Sequence, residues 1–225
     1  MSKYWENYWN SINGGNKQKS VGRTKFGNPV NQNDFQRELV YIDENLKLNG
    51  NDVLIDLCAG NGLITKEFFD KVEKVYAIDF SLPLLKDFEV DSPKVEVICQ
   101  DINQFDFSQI NFNKLIWYFS IQHFNYSEVL IILKKILDNI QDGGVVYIGD
   151  VPDINKKWEF YSKKEYKSFY FNKLLNNEDH IGTWFQREFF QSSLSFLGYS
   201  GKFKILDKPK EHFNSSYRFD IVINT

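Results

Sequence analysis

The spacing of apolar residues changes along the chain. Phe35, Leu39, Ile42 and Leu46 recur at helical intervals, predicting a helix that starts near Asn33 or Asp34 and stops at Asn49-Gly50. The period then shortens. DVLIDLC (52–58) is an apolar run ending in a glycine-containing turn, followed by a helix from Leu63 to Val72. KVYAID (74–79) is a second strand, with Ser81 as N-cap of the next helix and Pro83 in its first turn. KVEVICQD (94–101), NKLIWYFS (113–120) and VVYIGD (145–150) continue the strand series. SEVLIILKKILDNI (127–140) is an amphipathic helix between the last two, stopped by Asp142-Gly143-Gly144.

Strands fed by helices, and apolar on both faces, predict a parallel sheet covered on two sides. Residues 151–190 break the rhythm as a charged, aromatic insertion, helical in part from Trp158 to Leu175. A helix from Glu188 to Leu197 closes at Gly198, and two strands follow, GKFKILD (201–207) and YRFDIVIN (217–224). Only about ten residues separate them, which suits an antiparallel hairpin better than a crossover. The expectation is a doubly wound, Rossmann-like α/β fold with a mostly parallel seven-stranded sheet. Residues 1–33, rich in the turn-formers Gly14-Gly15, Gly22, Gly27 and Asn28-Pro29, read as a short aromatic helix and an irregular loop. They form a lid segment, with 34–225 as the main domain and 151–190 as a second lid element.

With 225 residues, 42% of them hydrophobic and 25% charged, the chain can bury a sizeable core, and disorder or a disulfide framework is excluded. A net charge of −3 provides no global basic field for nucleic acid. Cys58 and Cys99, inside apolar runs, read as buried reduced thiols of a cytoplasmic protein. The first residues lack a basic-then-apolar signal pattern, and the longest apolar stretch, Leu115 to Ile121, is far short of the roughly 20 residues that span a bilayer. Aromatics are the one excess. Fifteen of the 38 fall within 1–9 and 158–190, outside the parallel sheet, where aromatic walls would enclose a ligand.

The chemistry concentrates in IDLCAGNG (55–62). Glycines at the carboxyl end of a strand let the backbone approach a ligand closely, and the acid ending the second strand, Asp79, can accept both hydroxyls of a ribose. A dinucleotide loop would read G-x-G-x-x-G, but Thr65 stands three residues after Gly62. Asp56 would repel a pyrophosphate and attract an ammonium group. S-adenosylmethionine (SAM) offers that ammonium and has no phosphate.

These residues resemble the class I SAM-dependent methyltransferases, whose first motif, D-x-G-x-G-x-G, falls on Asp56-Leu57-Cys58-Ala59-Gly60-Asn61-Gly62, with Cys58 in place of the first glycine. The resemblance implies SAM contacts from Asp56, Ala59, Gly60 and Gly62. It implies ribose binding by Asp79, adenine contacts from Phe80, Asp101 and Ile102, and a methionine-side wall of Phe119 and Ser120. Gly198-Tyr199 matches a further element of the family.

A sulfonium is already a strong electrophile, so the protein must align the reactants and, where needed, supply a base, with no metal required. His123, just after strand four, resembles the histidine of small-molecule methyltransferases that pairs with an N-terminal tyrosine, here Tyr8 or Tyr4. Asp150 is the alternative base. Tyr4, Arg23, His180 and Trp184 are candidates for the acceptor side, Arg23 because guanidinium suits phosphate or carboxylate. His212 reads as a surface residue. Phe119-Ser120-Ile121-Gln122 is not the Asn/Asp-Pro-Pro-aromatic motif of base-methylating enzymes, which argues against nucleic acid. The loop GRTKFGNPVNQNDF resembles methyltransferases linked to bacterial surface-polysaccharide synthesis. The expected function is therefore methyl transfer to an oxygen or nitrogen of a small polar acceptor, such as a sugar or phosphoryl intermediate. The chain is expected to act as a monomer or homodimer, without nucleic acid or membrane. The alternatives are a nucleic-acid or protein methyltransferase, a nicotinamide-dependent Rossmann enzyme, or a non-catalytic SAM-binding protein.

Overall fold

The computed structural model describes residues 3–12, 14–25, 28–88 and 90–225. Phe26 and Gly27 of the turn-rich loop lie outside the described residues. The sheet has seven strands: β1 (Val53–Leu57), β2 (Lys74–Asp79), β3 (Val95–Cys99), β4 (Lys114–Tyr118), β5 (Val145–Pro152), β6 (Phe203–Asp207) and β7 (Arg218–Asn224). Their spatial order is β3-β2-β1-β4-β5-β7-β6. The first five run parallel, and β7 is antiparallel to both β5 and β6, as expected for the terminal hairpin. Strand order reverses at β1 and β4, which opens a crevice beyond their carboxyl ends.

Alternation along the central strands feeds two cores. Ile55, Leu115, Trp117, Val146 and Ile148 face one side, where Val129, Ile132, Leu133 and Ile136 of one helix and Phe190 and Leu194 of another cover them. Leu54, Ile116, Val145 and Tyr147 face the other, under Phe35, Leu39, Ile42 and Leu46. Among the described residues, the helices of eight residues or more are α1 (Lys3–Asn10), α2 (Gln32–Leu46), α3 (Tyr126–Leu137), α4 (Lys164–Leu175) and α5 (Arg187–Phe196). Asn31 caps α2 through the N–H of Asp34, and Asn125 with Glu128 forms a capping box on α3.

Local departures from expectation have physical causes. The segment 63–72 is not one helix but an α-turn at Thr65–Phe68 followed by a 3-10 turn at Phe69–Lys71. The stretch expected to be helical over 158–175 breaks into Lys157–Phe160 and α4, because Tyr161 turns inward and is buried. Strand β5 runs on to Pro152 through an irregularity between Ile148 and Val151, so Asp150 lies inside the strand with φ of 64°. Ser81 stands at its predicted N-cap, but its hydroxyl donates to the Trp9 carbonyl at 2.9 Å instead of capping. Among the described residues, no helix is long and apolar enough to cross a membrane.

Candidate active site

A cavity of about 750 Å³, its mouth included, opens beyond the carboxyl ends of β1, β2 and β4. It is built by backbone that turns left-handed after the strands: Cys58, Gly60 and Gly62 have φ of 58°, 57° and 75°. A left-handed conformation costs a non-glycine residue about 1–2 kcal/mol, so Cys58 holds at some cost a geometry that glycine takes freely. At Gly62 a Cβ would come within 2.6 Å of the Phe88 ring.

Asp79 closes the loop. One carboxylate oxygen accepts the Gly60 N–H at 2.9 Å and the other the Ser81 N–H at 2.8 Å. Asp56 accepts a hydrogen bond from the Thr65 hydroxyl. Burial pushes both carboxyls up, Asp56 to about 7 and Asp79 to about 6, against these hydrogen bonds. Asp56, Ala59, Gly60, Asp79, Phe80, Phe119 and Ser120 all line the cavity, and the buried Ser120 hydroxyl, beside the Cys58 thiol, has no nitrogen or oxygen partner among the described residues. Gly62 shapes the loop without lining it. Asp101 and Ile102 lie off the lining: Asp101 accepts from the N–H and side chain of Asn103, and Ile102 is core beside Phe105.

The N-terminal segment straps over this cavity. Asn61 donates to the Lys17 carbonyl at 2.8 Å and to the Ser20 hydroxyl at 2.9 Å, while Lys17 reaches the Asp87 carbonyl. Val21 and Trp9 complete the wall, Val21 only 3.0 Å from where a Gly60 Cβ would stand.

A second, open groove of about 3060 Å³ meets the cavity at Trp9, Phe119 and His123, which line both. The tyrosine partnership expected for His123 does not form. Helix α1 turns Trp5 and Trp9, one helical turn apart, onto the imidazole at centroid distances of 4.2 and 5.3 Å. Its Nδ1 is buried without a partner among the described residues, and burial, aided by the nearby Arg218 charge, lowers its pKa to about 3. Tyr8 is 40% exposed on the groove wall, stacked against Tyr4, which does not line it. His180 lines the groove, its Nδ1 2.7 Å from the Tyr161 hydroxyl. Trp184 is buried behind the groove, against Phe160 and Tyr161. His212, expected at the surface, is half-buried edge-on to Tyr41.

Asp150 does not fit the role of base. It is fully buried and lines neither chamber, and its oxygens face Lys208 at 2.5 Å and Arg218 at 3.5 Å. These two cations hold its carboxyl below the usual range despite burial. Arg23 lines the cavity but is already ion-paired with Glu38 and lies over the rings of Phe35, Tyr118 and Phe213. Glu38, Lys208 and Arg218 were not assigned a role from sequence. The signal was there for two of them: Glu38 shares the apolar face of α2 with Phe35 and Ile42, and Arg218 lies on a strand buried on both faces. Among the described residues no cluster of histidine, cysteine or carboxylate side chains could hold a metal ion.

The profile of a methyltransferase domain matches residues 54–144. No curated protein matches the sequence. Among solved structures, DhpI in complex with SAM and HEP aligns with a TM-score of 0.65 at 14% identity, covering 100% of this chain and 99% of that one. A candidate O-methyltransferase from Nostoc punctiforme aligns at 0.61 and 14% identity, covering 85% and 57%. The cyclopropane synthase MmaA2 of Mycobacterium tuberculosis aligns at 0.61 and 12% identity, covering 76% and 63%. The chain thus spans less than two thirds of the latter two proteins and nearly all of the first.

Proposed function

We propose that this chain, which carries a methyltransferase domain over residues 54–144, is a class I SAM-dependent methyltransferase acting on an oxygen or nitrogen of a small polar acceptor. The observation that carries the reading is the meeting of an inner cavity and an outer groove at one point, walled by Trp9, Phe119 and His123.

The cavity suits SAM: two buried carboxyls stand on its wall, and Ser120 offers a hydroxyl with no nitrogen or oxygen partner among the described residues. When bound, SAM supplies a methyl group on a sulfonium, which needs only an aligned nucleophile. Asp79 would hold the ribose hydroxyls through the outer lone pairs of oxygens whose inner ones are fixed by Gly60 and Ser81. Asp56 would pair with the ammonium, and Phe80 would flank the adenine. The acceptor would lie in the groove, among Trp5, Tyr8 and Phe160, which exclude water from its apolar side. His123, neutral at physiological pH, can accept a hydrogen bond from the acceptor's hydroxyl or amine and so orient it, while the burial and Arg218 charge that lower its pKa to about 3 make it a poor proton acceptor. A sugar or phosphoryl intermediate of polysaccharide assembly would suit a groove of this size and mixed polarity.

Calorimetry with SAM and with S-adenosylhomocysteine (SAH) tests the reading. Both should bind, and Asp79→Ala should weaken both by at least about tenfold, the worth of a charge-assisted hydrogen bond. If neither ligand bound the unaltered chain, the reading would be wrong.

A further inference from the structure

The buried ion pairs behind the two chambers form one alternating series. Arg23 pairs with Glu38, Glu38 with Lys208 at 3.0 Å, Lys208 with Asp150 at 2.5 Å, and Asp150 with Arg218 at 3.5 Å. None of these five side chains is more than 4% exposed. Three cations therefore share two carboxylates. Asp220 packs beside the series but makes no ion pair among the described residues. It accepts the Asp150 N–H and the Tyr147 hydroxyl, and burial pushes its own carboxyl up. Asp220 and Lys208 also act on each other's charge, so three cations stand with three carboxylates in a low-dielectric interior, where a group left without its hydrogen-bond partner is costly.

The two ends of the series differ. At the cofactor end, Arg23 is covered by three aromatic rings. At the groove end, Arg218 spends Nη1 on the Asp150 carbonyl at 2.5 Å, but its buried Nε has no hydrogen-bond partner among the described residues. The guanidinium lies over Phe119 and Tyr217, at 4.9 and 5.3 Å, and lines the groove together with His123. A buried, unsatisfied donor on a cation beside an open chamber calls for an acceptor atom from outside the protein.

We propose that the methyl acceptor carries an anionic oxygen group, a carboxylate or a phosphoryl, that seats on Arg218 and so aims the nucleophilic atom at the junction beside His123. The anion meets the guanidinium at the groove end of the series and stands across Phe119 from the sulfonium. Arg23, the arginine favoured from sequence, is excluded from this part by its pairing with Glu38. The proposal rests on the methyltransferase reading, since only that reading makes the groove the acceptor side.

The test is calorimetry of inorganic phosphate and of acetate against the SAH-loaded full chain. At least one should bind saturably, and Arg218→Gln should weaken it by about tenfold or more while SAH affinity changes by less than about twofold. Arg218→Lys keeps the buried charge but removes the Nε donor, so it decides the matter if Arg218→Gln fails to fold, and about a tenfold loss is expected there too. Preference for phosphate or acetate identifies which oxyanion the acceptor carries. Binding of neither anion, or equal binding by variants and unaltered chain, would overturn the proposal. Should SAH not bind while phosphate still depends on Arg218, the methyltransferase reading fails and the anion site stands.

Discussion

Asp56 and Asp79 are buried carboxyls whose pKa values are raised by that burial, to about 7 and about 6. A ligand that needs both ionised must displace protons below those values. SAM and SAH affinity should therefore climb as pH rises from about 5 and level off above about 7, with proton release visible in buffers of different ionisation enthalpy. Asp56→Asn should abolish the upper step and leave the one near 6. His123 behaves oppositely: with its pKa lowered to about 3, it is already neutral throughout this range. Turnover at saturating SAM should thus show no inflection near 6.5, the ordinary histidine value. Replacing His123 with alanine should cut kcat by about tenfold, the worth of one orienting hydrogen bond, with SAH affinity preserved. Three residues at strand ends, Cys58, Phe119 and Asp150, share left-handed φ values of 58°, 60° and 64°. Only the first stood out in the sequence, because it replaces a motif glycine. Nothing in a phenylalanine or an aspartate announces that the chain will turn left-handed there.

The regular elements were legible because each carries its own period and punctuation. All seven strands fall within a few residues of expectation, and α3 ends at Leu137 because the turn before Gly143-Gly144 takes up the rest. The lids were less legible, since their packing depends on contacts remote in sequence. Tyr8 was a reasonable partner for His123 by residue type, but helical phase places Trp5 and Trp9 there. The insertion shows the same dependence at Gly182, whose φ is 101° and where a Cβ would stand 2.3 Å from the Gln122 carbonyl oxygen. Thr183 donates to that same carbonyl at 2.8 Å. Gly182→Ala should lower stability by about 2 kcal/mol or more, since backbone on both sides must shift. Urea denaturation measures the loss directly. The strap over the cavity hangs largely on Asn61, and Asn61→Ala should expose residues 3–25 to limited proteolysis while the rest of the chain stays resistant.

Across the whole molecule, the fold reads as a standard doubly wound sheet carrying a less usual interior. The family motif made the cofactor side readable, whereas the ion series joining Arg23 to Arg218 unites residues nearly 200 positions apart and had no local signature. Removing one interior member strands its neighbours: Glu38→Gln takes from Arg23 its ion-pair partner and leaves Lys208 with Asp150. It should cost about 3–5 kcal/mol, seen as a fall in Tm, while an exposed pair such as Lys134 with Asp138 should cost under about 1. The strap has a consequence for the timetable of turnover. Residues 9 and 17–21 roof the inner cavity, while the groove beyond Phe119 stays open to solvent. The methylated product can depart through the groove at once, but the spent nucleoside must wait for the strap to lift. Catalysis should run in compulsory order, with SAM first on and SAH last off. SAH should then inhibit competitively against SAM and non-competitively against the acceptor, and its departure should set the pace.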